Sequence, residues 1–196
     1  MSIFEGRAGL RESAAMYPRI ERAHRGIRLE NAASPGGDPA YDRLAARFHA
    51  RFRACRSRRA RDLWSALELA ATELAIEGHI AEREVHRLRA CACRDVGHIA
   101  SVLVRGTREE VAAIAELTRH PGALAEVVGA LHLSGDAIYR LAGEAGRAEL
   151  RRAGEATCAG TLQCMDCGRT RRIFHATVVA ACGDCGGTAF SKGFET

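Results

Sequence analysis

From Tyr41 onward, apolar residues recur at helical spacing. Leu44, Phe48, Phe52 and Cys55 form one run, and after an Arg-rich break Leu63, Leu67, Ala71 and Leu74 continue the stripe. Residues three and four apart share a helix face, so this period predicts amphipathic helices with that face inward. Glu77-Gly78 should end the second of them, because Gly is favoured just past a helix end. A further stripe runs through Val85, Leu88, Ala92, Val96 (or Asp95), Ile99 and Leu103. Two amphipathic helices joined by so short a link are expected to pack antiparallel as a hairpin.

Thr107-Arg108-Glu109-Glu110 has capping-box spacing, with Val111, Ile114 and Leu117 behind it, and His120-Pro121-Gly122 should stop that helix. Leu124, Val127, Val128 and Leu131 predict another short helix. Ser134-Gly135-Asp136 starts a last one, with Ile138 and Leu141 inward. The helical period fades near Gly146, and beyond Gly154 the chain reads as strand. Arg172–His175 and Ala176–Val179 are the expected arms of a β-hairpin, and Thr188–Ser191 offers a third strand. Residues 1–40 carry no sustained period and hold the loop signal Ser34-Pro35-Gly36-Gly37-Asp38-Pro39, with at most a short helix near Arg19 to Leu29. The expected division is a mobile leader over 1–40, a helical hairpin or bundle over 41–150 and a small β module over 154–196. In fold class the chain is mainly α with a small β module.

The β module brings in the chemistry. Cys164-x2-Cys167, fourteen residues, then Cys182-x2-Cys185 is the spacing of two metal-binding knuckles. Each Cys-x2-Cys turn points two sulfurs at one point, and two facing turns complete a tetrahedron of thiolates suited to zinc. Gly168 and Gly186 follow the second cysteine of each pair, where a tight turn lets backbone N–H groups reach the sulfurs. The expected cofactor is one structural zinc ion per chain, held by Cys164, Cys167, Cys182 and Cys185. Iron is the competing metal. A redox disulfide pair is the competing reading of the motif, although such a pair opens a helix and here two pairs carry matching glycines. Of the remaining cysteines, Cys55 reads as a small hydrophobe, Cys158 as a strand residue, and Cys91 and Cys93 stand too close in a helix to share a ligand. His79, His86 and His98 read as a solvated helix face.

Composition adjusts this picture in three ways. Apolar residues make up 47% and aromatics only 5%, so the core is built from small side chains, which favours helix. Of 29 basic residues a single one, Lys192, is lysine. The positive excess lies in the first third of the chain, and Arg43, Arg47, Arg51, Arg58 and Arg59 are candidates for binding a polyanion such as nucleic acid. A coding bias toward Arg explains the same cluster without a function. Finally, the first twenty residues lack the apolar run of a signal peptide, and no stretch is apolar enough to cross a membrane. The expected compartment is therefore the cytoplasm, where cysteines bind metal or stay free.

Two blocks carry a family resemblance. One is RDLWSALELAATELAIEGHIAEREVHRLRACACRDVGHIA, residues 61–100; the other joins GEATCAGTLQCMDCG to CGDCGGTAFSKG, residues 154–168 and 182–193. Together they resemble the bacterial zinc ribbon-containing proteins of unknown function, in which an N-terminal helical hairpin precedes a C-terminal, rubredoxin-like four-cysteine ribbon. The resemblance implies that architecture, and it implies metal ligation by the four cysteines. No HExxH, phosphate-cradling Gly loop or nucleophile motif with an evident base is present. The expected function is a non-enzymatic adaptor with a protein or nucleic-acid partner. The alternative is a thiol-based redox or zinc-responsive switch whose ribbon unfolds on oxidation. Because only the ribbon needs metal, it is expected to unfold apart from the helices.

Overall fold

A computed structural model describes residues 37–78, 80–135, 137–144 and 150–194. Among these residues six helices come first: α1 (Pro39–Ala54), α2 (Ala60–Ile76), α3 (Glu82–Arg105), α4 (Arg108–Leu117), α5 (Ala123–Leu133) and α6 (Ala137–Glu144). Six short strands follow: β1 (Leu150–Arg152), β2 (Ala156–Thr157), β3 (Gly160–Cys164), β4 (Thr170–Ile173), β5 (Thr177–Val178) and β6 (Ala189–Gly193). The chain is thus mostly helical with a small antiparallel module near its C-terminus. No helix among the described residues is long and apolar enough to cross a membrane.

Local chemistry sets the helix ends. The Asp38 carboxylate accepts from the N–H groups of Ala40 (3.0 Å) and Tyr41 (3.3 Å), and Pro39 occupies the first turn, where its missing N–H costs nothing. Helix α1 therefore begins inside the expected leader; the rest of that leader up to residue 36, with its suggested short helix, lies outside the described residues. Thr107 and Glu110 form the expected capping box at the start of α4, with reciprocal bonds of 2.8 and 3.2 Å. Most of the predicted stripe positions are buried, Leu44, Phe48 and Phe52 in α1, Leu63, Leu67 and Leu74 in α2, and Val85, Leu88, Val96 and Ile99 in α3, whereas Cys55, just past the end of α1, and Leu103 are half-buried. Helix α2 lies chiefly against α1, and α3 chiefly against α6, so the α2–α3 pair is one contact within a larger array.

The sheet departs from expectation. Its order is β1-β6-β3-β4, with every neighbour antiparallel, and β2 pairs with β5 in a separate ribbon. Residues 172–179 do not form a hairpin. The first cysteine knuckle already turns β3 back into β4, placing Leu162 opposite Arg171. The chain then runs to the helices, where the Ala176 carbonyl accepts from the Asp38 N–H at 2.6 Å, and this carries β5 away from β4. The sheet also begins earlier than residue 154, because Arg151 of β1 stands opposite Phe190 of β6.

Nor do the two parts have separate cores. Leu162, Cys164, Val179, Cys182 and Phe190 form a small cluster within the ribbon. Ala156, Cys158, Ala159, Ala176 and Phe194, by contrast, are buried in the main helical core. The ribbon's inner face closes the helical array.

Candidate metal centre and a buried charge cluster

The two knuckles share one backbone pattern. In each, the N–H of the first cysteine donates to the carbonyl five residues on: Cys164 to Arg169 and Cys182 to Gly187, both at 2.8 Å. The residue four positions on donates back to the same cysteine's carbonyl, Gly168 at 2.9 Å and Gly186 at 2.8 Å. Closing that loop needs a left-handed residue, and these two glycines have φ of 71° and 75°. Gly187 matters for a different reason. A Cβ there would lie 2.4 Å from Asp166 Oδ2 and 2.9 Å from Cys164 Sγ, so only glycine lets the second knuckle approach the first.

All four sulfurs fall within 4.8 Å of one another. Cys164 Sγ is 3.6 Å from Cys185 Sγ, and Cys167 Sγ is 3.7 Å from Cys182 Sγ. A tetrahedron of thiolates about zinc has edges of about 3.8 Å, whereas a disulfide brings its sulfurs to about 2 Å. Donor chemistry points the same way. The N–H groups of Asp184 and Cys185 aim at Cys182 and lower its pKa to about 7. At Cys185 the Gly187 N–H favours the thiolate, but the neighbouring sulfurs outweigh it and raise the pKa to about 12. Four thiolates so close together ionise in full only around a cation. The residues present therefore fit a divalent metal.

A second cluster, which sequence patterning did not single out, lies between ribbon and helices. Asp95 of α3, Arg151 of β1 and Lys192 of β6 are all buried. Asp95 accepts from the Tyr41 hydroxyl (2.5 Å), the Cys158 N–H (2.8 Å), the Thr157 hydroxyl (3.0 Å) and the Arg151 guanidinium. Lys192 Nζ sits 3.4 Å from Asp95 Oδ1 and donates to Thr157 Oγ1 (2.7 Å), the Cys158 carbonyl (2.7 Å) and Cys158 Sγ (2.9 Å). Thr157 uses its whole capacity: it donates to Asp95 and accepts from Lys192 and from Arg151 Nε at 3.1 Å. Burial opposes the charge on Asp95, but Lys192 and Arg151 outweigh it and hold the carboxyl well below the usual carboxylate range. Burial pushes the Cys158 thiol up to about 12.

The same face of α3 continues in both directions. Arg87 donates to the Gly154 carbonyl, Arg94 pairs with Glu155 at 3.1 Å, and His98 meets the Phe194 ring at 5.0 Å between centroids. His98 is thus buried, contrary to the solvated face expected for it, and burial followed by Lys192 and Arg151 lowers its pKa to about 3. One signal in the sequence could have found this cluster: a chain that uses Arg almost everywhere keeps one Lys, and that Lys is 3% exposed. A compact ammonium fits a site where three donors converge on Thr157 and Cys158 and a planar fork does not.

The arginines proposed for a polyanion are not gathered into one track. Arg43 donates to the Pro39 carbonyl, and Arg47 and Arg51 of α1 are engaged by Glu73 and Glu77 of α2. Arg58 and Arg59 lie in the turn between α1 and α2, exposed together with Arg53, Arg56 and Arg61. No ion pair holds Arg53, Arg56, Arg58 or Arg59 among the described residues.

Two Cys-x2-Cys knuckles on an antiparallel sheet, with their sulfurs converging on one point, define a zinc-ribbon protein. Residues 50–193 match the family described as zinc-ribbon containing domain, and the chain belongs to that family. No curated protein and no solved structure matches it.

Proposed function

We propose that the chain is a non-enzymatic adaptor that holds one structural zinc ion and presents its arginine-rich turn to a polyanionic partner. The observation that carries the first half is the closed set of four sulfurs. A metal held by four thiolates keeps no position for water or substrate, so it contributes folding free energy rather than catalysis. The second half rests on Arg56, Arg58 and Arg59, exposed in the turn that leads into the positive end of the α2 helix dipole, with Arg53 exposed in the last turn of α1. Of the five arginines expected to bind, Arg58 and Arg59 of the turn are kept, and Arg43, Arg47 and Arg51 of α1 are not. Elemental analysis should find zinc near one per chain and little iron. Capture of partners with nuclease and salt controls then decides whether the ligand is nucleic acid. Capture unaffected by nuclease and salt would refute the polyanion reading.

A zinc-responsive or redox switch is the second reading. It is favoured by the exposure of Cys167 and Cys185, which leaves one thiol of each knuckle open to oxidants.

A further inference from the structure

One face of strand β6 links the metal centre to the helical core. Phe190 and Lys192 of β6, with Phe194 just past its end, alternate onto the same side, and all three are buried. Phe190 packs in the ribbon cluster beside Cys164 and Cys182 and stands opposite Cys164 in the sheet. Two residues on, Lys192 reaches Asp95; two further, Phe194 lies in the helical core against His98. The path from the knuckles to α3 is therefore a single extended segment of about 13 Å. The neighbouring strand repeats the link, since Arg151 pairs with Phe190 across the sheet and also binds Asp95.

A ribbon of this size does not stay folded without its metal. When it loosens, Lys192 and Arg151 both leave Asp95. A carboxylate and the Tyr41 hydroxyl then remain in an apolar core without the groups that compensated them. Such a site opens to water, because an unpaired buried charge costs more than the local packing supplies.

We propose that loss of the ribbon's metal is transmitted along β6 and β1 to Asp95 and opens the helical core around α1 and α3. The metal then governs the order of the whole body rather than of the ribbon alone. This deepens the switch reading and rests on zinc being the resident metal.

Hydrogen exchange read by mass spectrometry tests it on the full chain, zinc-loaded and after chelation. Elemental analysis of the starting protein comes first, and absence of zinc there refutes the metal reading itself. With zinc confirmed, chelation should raise exchange on the order of tenfold or more in the segments around Tyr41 and Asp95, and not only within 160–190. Cys158 should become open to alkylation, and returning zinc should restore protection at all three places. Ribbon segments that exchange freely while α1 and α3 keep full protection would overturn the proposal. The variant Lys192→Met cuts the β6 link, leaving Arg151 on Asp95, without touching a metal ligand. In zinc-loaded form it should raise exchange around Asp95 with zinc content unchanged; unchanged exchange there would rule out the β6 route.

Discussion

Replacing Asp95 by Asn keeps shape and volume and removes the carboxylate that Arg151 and Lys192 both reach. Arg151 and Lys192 would remain buried beside it with the Asp95 charge gone. The amide also presents donors where the carboxylate offered only acceptors. Whichever way it is turned, its NH2 group faces a set of donors, either Tyr41 and the Cys158 N–H or Arg151, Thr157 and Lys192. Breaking a buried pair from one side costs about 3–5 kcal/mol, against a total stability of roughly 5–15 kcal/mol for a domain. The reverse truncation should be milder. Lys192→Met leaves a neutral Asp95–Arg151 pair and loses mainly the bonds to Thr157 and Cys158, at about 1–3 kcal/mol. Urea titrations and thermal melts of the zinc-loaded proteins, followed by far-ultraviolet circular dichroism, measure both. Asp95→Asn should lower the melting temperature by roughly 6–20 °C and exceed Lys192→Met. A change below about 0.5 kcal/mol for Asp95→Asn, or the opposite ranking, would refute the charge count on which the reasoning stands.

Other consequences follow from single contacts. His98 stays neutral in the folded chain, while an unfolded histidine takes a proton near 6.5. Stability should therefore be full above that pH and fall by about 1.4 kcal/mol per unit below it, down to about pH 3. Titrations between pH 6.5 and 5.5 at constant zinc content should show this slope flattened in His98→Phe, and equal slopes would dismiss His98 as the cause. Gly187→Ala drives a methyl into Asp166 and Cys164, and zinc affinity measured by competition with a chelator should weaken by roughly 10–100-fold. Changing Arg56, Arg58 and Arg59 together to Gln should weaken polyanion binding and flatten its salt dependence, since each neutralised duplex phosphate contributes a log–log slope of about 0.9. Changing Arg47 and Arg51 instead should leave binding intact, because those side chains face Glu73 and Glu77.

The sequence alone determined those parts whose physics is local. Helix period, the Thr107 capping box and the Gly78 stop depend on neighbours within a turn or two, and so do the two knuckles with Gly168 and Gly186. Cysteines at that spacing have few other uses, and so the candidate metal centre was legible residue by residue. Tertiary structure decided the rest. Arg87, Arg94, Asp95 and His98 form a polar face of α3 on which His98 reads as solvated and Asp95 only as an alternative to Val96 in the apolar stripe, because a helix wheel cannot show that a ribbon some sixty residues later in sequence will cover that face. The pairing of β4 with β3 rather than with β5 follows from where Ala176 must meet Asp38, a contact between distant segments. Arg47 and Arg51 look like Arg56, Arg58 and Arg59 of the turn in sequence, and only α2 packed alongside, with Glu73 and Glu77, separates a paired set from an exposed one. Periodicity records which face of an element is apolar. It does not record what lies on the other face, and for a buried charge that partner sets the energy.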